Sequence, residues 1–190
     1  MNTFADITNS KKSRFVIKTP GDHVYFFRDK SADLSFTIAD SEAKLYVFGL
    51  YKGKDKDKYT LITRQKHTVP GAQSHILIKG IFDDASSFSY EGMIHLHKKA
   101  TKTDAALESR NLIISENARV TAKPQLEILP ADVRCTHAAT ISHLSKEHIN
   151  TLQMRGLSEK DAKDLLIKGF AEDLIIQLRE RAPKAQISVA

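Results

Sequence analysis

Between Phe15 and Leu129, apolar residues come in short runs or alternate with polar ones. The segments are Phe15–Ile17, Val24–Phe27, Leu34–Ile38, Lys44–Phe48, Tyr59–Thr63, His75–Ile78, Met93–His97, Asn111–Ile114 and Gln125–Leu129. β-Branched and aromatic residues dominate them, and Gly, Asp, Asn, Ser or Pro separate them, which predicts strands. The segments holding Ile76, Ile94, Ile113 and Ile128 recur about every 15 to 19 residues, with no tight-turn signal between them. A β-solenoid and a β-sandwich both produce such a series, and periodicity does not choose between them. The charged, Gly-containing connection from Tyr51 to Tyr59 predicts one protruding antiparallel hairpin. Residues 1–13 are polar and are expected to be flexible.

Helical periodicity starts only near residue 142. Ser145 is placed to cap a short helix ending about Met154, and Gly156 to stop it. Ser158 and Asp161 then resemble a capping box opening a helix that runs to about Arg181, before Pro183. Ala162, Leu166, Phe170 and Leu174 form a stripe at i, i+4 spacing, with Leu165 and Leu178 beside it. Such a stripe ordinarily packs on the chain's own β-part, and less often docks another protein.

Composition narrows the class. A chain of 190 residues with 41% hydrophobic and 27% charged residues suits one globular domain plus a small appendage. The single cysteine, Cys135, rules out an intrachain disulfide and fits a reducing cytoplasm. The stretch from Asn2 to Lys18 lacks the apolar core of a signal peptide, and no apolar run approaches the roughly 20 residues of a membrane span. A cytoplasmic protein with no membrane partner is expected. The formal net charge is +6, but Lys and Arg are interleaved with Asp and Glu, and Lys52–Lys58 alternates in sign. Nucleic-acid binding is therefore not expected.

Few residues suggest chemistry. His95 and His97 are two apart in a predicted strand and share a face, but two ligands do not make a site. Cys135 and His137 stand in the same relation, offering a thiol and an imidazole side by side. They could ligate a soft metal, or the His could activate the thiol. By residue type alone, a buried Cys beside a surface His is the plainer reading. No phosphate loop, nucleophile elbow, zinc helix or carboxylate pair is found, which argues against a self-contained enzyme.

A longer series of residues changes this picture. His67-Thr68-Val69-Pro70 is followed by Ser74, Lys79-Gly80, Phe88-Ser89-Tyr90-Glu91-Gly92 and Ala100-Thr101-Lys102-Thr103-Asp104-Ala105. Then come Asn111–Ser115, Ala118-Arg119-Val120, Pro124–Ile128, Asp132–Thr140 and Arg155-Gly156-Leu157-Ser158. In order and spacing, from about His67 to Phe170, this resembles the C-terminal part of the SufB/SufD family of iron–sulfur-cluster assembly scaffolds. The Cys135-Thr136-His137 segment is closer to SufD.

The resemblance implies a right-handed parallel β-helix core over 1–141 and a C-terminal helical subdomain over 142–190. It implies a non-enzymatic scaffold with no permanently bound cofactor, holding a transient iron–sulfur cluster. The partners it implies are a SufC-type ABC ATPase and either a second copy or a SufB-like chain. The alternative is a dimerising β-helix module that no longer assembles clusters. His137, with Cys135 as its neighbour, inherits the cluster position. Arg155, Gly156, Leu165, Leu166, Phe170 and Leu174 are the candidates for docking the ATPase. The chain departs from the family pattern in its shortness, in Ala138 where Gly is usual, and in Asn150–Met154 where an aromatic stretch is usual. A short β-helix also needs a cap on its first turn, and residues 14–66 are the part available to supply it.

Overall fold

Eleven strands alternate between two sheets, and every ladder among the described residues is parallel. The structure is a computed structural model and describes residues 2–188. The odd strands are β1 (Thr3–Asp6), β3 (Gly21–Arg28), β5 (Ala43–Gly53), β7 (Gln73–Phe82), β9 (Asp104–Ile113) and β11 (Arg134–His143). They form a six-stranded sheet in that order. The even strands are β2 (Arg14–Ile17), β4 (Ala32–Ile38), β6 (Lys58–His67), β8 (Ser87–Leu96) and β10 (Arg119–Ile128). They form the second sheet, again in chain order. Each coil therefore lays one strand on each sheet, and the next coil stacks on it in register: Ile76 on Leu107, and Leu107 on His137. This is a parallel β-helix. A sandwich built on antiparallel pairs is excluded, and the recurrence noted above corresponds to half a coil.

The expected hairpin at Tyr51–Tyr59 is not formed. β5 pairs with β3 and β7, whereas β6 pairs with β4 and β8, so Lys54–Asp57 is a corner of the coil. Corners need a residue in the left-handed region, which Asp tolerates better than bulkier residues. Asp29, Asp55 and Asp84 fill that place with φ of 47°, 53° and 51°. They stack, with the Asp55 amide donating to Asp84 Oδ2 at 3.0 Å. The alternating charges read as a hairpin tip are the solvated side of this corner.

The interior is an apolar column. Phe15 and Phe36 stack at 5.0 Å, and the Phe88 ring lies 4.5 Å from Tyr51 and 5.2 Å from Phe82. Where three bulky rows converge the column needs a residue with no side chain. A Cβ on Gly49 would sit 2.7 Å from Ile78 and Phe27. A second apolar layer covers the outer face of β3, β5 and β7, where Val24, Phe26, Phe48, Leu50, Leu77 and Ile81 meet a helix. Strands β5 and β7 are thus buried on both faces, which is why they read as nearly continuous apolar runs.

That helix is α2 (Glu159–Arg181), preceded by α1 (Lys146–Gln153). Ser145 Oγ accepts from the His148 amide at 3.3 Å, and Ser158 Oγ from the Asp161 amide at 3.1 Å, as the capping patterns predict. The buried residues of α2 are Ala162, Ala171, Leu174, Ile175 and Leu178, and the last four pack on that layer. A polar clamp adds to it: Lys79, almost wholly buried, donates to Asp173 Oδ2 at 2.5 Å and to the Phe170 carbonyl at 2.9 Å. Burial lowers the Lys79 pKa, and Asp173 opposes that shift.

The expectation of a loose start is not met within residues 2–13. β1 pairs with β3, Lys30 Nζ donates to the carbonyls of Thr8 (3.0 Å) and Ser10 (2.6 Å), and Lys12 lies 5.1 Å from the Phe15 ring centre. Ile7, Phe15 and Ile17 are consequently buried. Residues 14–66 are coils of the β-helix themselves, and the stretch before them helps close this end.

Candidate functional site at the open end of the β-helix

Among the described residues, nothing covers the opposite end. β10 and β11 are the end strands of their sheets, each ten residues long. Cys135 and His137 stack on Ala105 and Leu107, whose side chains lie in the core. Both therefore occupy the inward row of the last coil, as their i, i+2 spacing predicts. His137 is exposed, and Cys135 is half-buried against the core. Burial pushes the Cys135 thiol up, and the nearby Asp104 carboxylate raises it further. The resting group is a protonated thiol, which is a poor nucleophile until a metal displaces its proton.

Around this pair lie apolar side chains that an added coil would bury. Val120, Ala122, Leu126 and Val133 are partly buried against the core, while Ile128 and Ile141, which stack on Leu96 and Asn111, are 40% and 45% exposed. The sequence carried no local signal for this surface. Alternation from Val120 to Ile128 looks like that of any interior strand, and only the topology shows that nothing lies beyond it. Pro124 fits this position, since an end strand tolerates a missing amide.

The other candidates separate. His95 Nδ1 is 2.8 Å from Glu127 Oε2, while His97 lies just past the end of β8. Among the described residues, no group of three His, Cys, Asp or Glu side chains could hold a metal. One chain thus offers Cys135 and His137 as two donors. Of the docking candidates, Leu174 is fully buried under α2, and Phe170 is partly buried beside Lys79. These two hold α2 to the sheet. Leu166 is partly buried, Arg155 and Gly156 are exposed in the α1–α2 turn, and Leu165 is 50% exposed. Met154 and Ile176 add exposed apolar area that the stripe does not include.

A buried polar cluster lies deeper in the column. Ser74 Oγ donates to Gln65 Oε1 at 2.5 Å, so its contact with His67 Nε2 at 2.7 Å must be one in which the imidazole donates. That assigns the proton to Nε2 and leaves His67 Nδ1 buried without a hydrogen-bond partner. Burial depresses the His67 pKa to about 4.

A two-sheet parallel β-helix, closed at one end, open at the other and braced by a helical pair, defines the class of protein. The chain belongs to the SufBD family: residues 28–170 match the profile of the "SUF system FeS cluster assembly, SufBD core domain". It is 35% identical over 122 residues to the iron–sulfur cluster assembly protein SufD of Escherichia coli, covering 64% of this chain and 29% of that protein. With SufD of Bacillus subtilis it is 29% identical over 160 residues, covering 80% of this chain and 36% of that one. SufB of Bacillus subtilis is 30% identical over 112 residues, covering 59% and 24%. The chain spans about a third or less of the length of these relatives. Among the described residues, no helix is long and apolar enough to cross a membrane.

Proposed function

We propose that the chain is a non-enzymatic scaffold for iron–sulfur cluster assembly, pairing through its open coil and working with a SufC-type ABC ATPase. The observation that carries this reading is the uncovered last coil, where Cys135 and His137 sit among exposed apolar side chains. A second SufBD-type chain, either a copy or a SufB-like partner, would bury those side chains by continuing the sheets. Two such chains bring two Cys–His pairs to one junction. That supplies four donors of the soft and borderline type that iron accepts, the usual count for a cluster. The cluster is cargo here, formed and passed on. Leu165, Met154 and Ile176, with Arg155 and Gly156 in the turn between the helices, form the face offered to the ATPase.

The raised Cys135 pKa favours a second reading, an interaction module that pairs but assembles nothing. One experiment separates the two. Anaerobic reconstitution with iron and sulfide, followed by iron and acid-labile sulfide analysis, should give a cluster in the wild type and much less in His137→Ala, with thermal stability almost unchanged. Equal cluster content in both would leave the interaction module. Co-purification with an ABC ATPase tests the remaining partner.

A further inference from the structure

The closed end of the β-helix carries a feature that cluster assembly does not use. On the outer face of β2, β4 and β6 lies a shallow cleft of about 650 Å³, lined chiefly by Arg14, Val16, Ser35, Thr37, Arg64 and Lys66. Coil stacking builds it: Arg14 lies beside Ser35 and Ser35 beside Arg64, while Val16, Thr37 and Lys66 form the neighbouring row. The chain's cations look dispersed in the sequence, but here they converge. Arg14 falls in a stretch with no acidic residue from Ile7 to Gly21, and it faces Arg64 and Lys66 across β4. The carboxylate lining the cleft is that of Asp33, already paired with Arg64. Among the described residues, Arg14, Lys18 and Lys66 make no ion pair.

The shape and the charge select a ligand class. Arg14 and Arg64 stand two strand separations apart, about 9.6 Å, with the Ser35 hydroxyl between them, a spacing that attracts a chain of carboxylates. Val16 stands 56% exposed in their midst and calls for an apolar contact as well. A nucleic acid fits less well, because single-strand binders stack bases on aromatic rings. The ring adjoining this face, Phe15, is buried inside the coil and covered by Lys12. We infer that this cleft docks an extended acidic segment of a partner protein, with carboxylates on Arg14 and Lys66 and an apolar side chain on Val16.

The test uses the full chain and a fluorescein-labelled peptide of alternating Glu and Leu, read by fluorescence anisotropy. Binding is expected, and it should weaken about tenfold or more between about 50 mM and 300 mM salt. Arg14→Glu/Lys66→Glu should lose about tenfold or more in affinity with an unchanged circular-dichroism spectrum. Lys98→Glu/Lys99→Glu makes the same charge change in an exposed turn elsewhere and should retain binding. Three results would overturn the inference: no binding by the wild type, equal loss in both double variants, or tighter binding of an oligo-dT strand than of the peptide.

Discussion

Acidification should weaken the fold through one residue. His67 is fully buried in the β-helix column, stacked between Ile38 and Leu96. Its Nε2 proton is spent on Ser74, and a second proton on Nδ1 would find no acceptor. Its pKa in the folded chain is therefore depressed to about 4, against 6.5 when exposed. Between those values the unfolded chain binds the proton and the folded chain does not, so stability falls as pH falls. It is fully present above pH 6.5. At about 1.4 kcal/mol per pH unit, the loss should reach about 2 kcal/mol by about pH 5 and about 3 kcal/mol once the pH is below 4. Urea denaturation at about pH 7.5 and about pH 5, on the wild type and His67→Leu, isolates the effect. His75, whose pKa burial also lowers, is common to both proteins and cancels in the comparison. The wild type should lose about 2 kcal/mol more than the variant over that interval. Equal losses would refute the reasoning, since they would mean that the buried imidazole finds a partner for its second proton.

Other perturbations test the remaining contacts. Ile128→Asp/Ile141→Asp should convert a dimer to a monomer at micromolar concentration by light scattering, because both side chains lie in the inner row of the open coil. Asp173→Ala should cost about 2 kcal/mol in denaturant titrations, and more than Lys79→Met, because removing the carboxylate alone strands a buried ammonium. Leu165→Asp/Ile176→Asp should abolish co-purification with the ATPase while leaving thermal stability within a few degrees. Both side chains are exposed and add little to the apolar layer beneath α2.

Much of this architecture was legible because strand and helix periods are local properties. Alternation from Phe15 to Leu129 marked most of the strands, and Ser145 and Ser158 marked both helix starts. What escaped depended on neighbours distant in sequence. Lys52–Lys58 reads as a hairpin tip because its charges report only solvent, whereas Asp29, Asp55 and Asp84 share a left-handed corner that repeats from coil to coil. That recurring Asp was the signal available. In α2, the stripe through Ala162, Leu166, Phe170 and Leu174, with Leu178 beside it, holds at Ala162, Leu174 and Leu178, which are buried, while Leu166 and Phe170 are only partly so. The sheet surface adds Ala171 and Ile175 to it, where Val24, Phe26, Phe48 and Leu77 meet the helix. Cys135 and His137 were placed on one face from their spacing. That this face belongs to the last coil follows from topology alone.

The two ends of the β-helix meet the same physical problem with opposite means. A terminal coil exposes a row of unpaired amides and carbonyls, and on its inner side apolar residues with nothing above them. At the first coil the strands are only four residues each, Lys12 lies over the Phe15 ring, and Lys30 ties down the carbonyls of Thr8 and Ser10. Short strands and lysines are the usual means of blunting a sheet edge. At the last coil both edges are ten residues long, in register, and the inner row is left open. An edge of that length invites pairing, so its persistence argues for a partner rather than for solvent. The same asymmetry argues against testing the helices by truncation. Removing α2 would bare Val24, Phe26, Phe48, Leu50, Leu77 and Ile81, a second open apolar surface. The chain would then be expected to aggregate before any loss of docking could be read. Point substitutions at Leu165 and Ile176 leave that layer covered, so a lost interaction there reports on the partner and not on the fold.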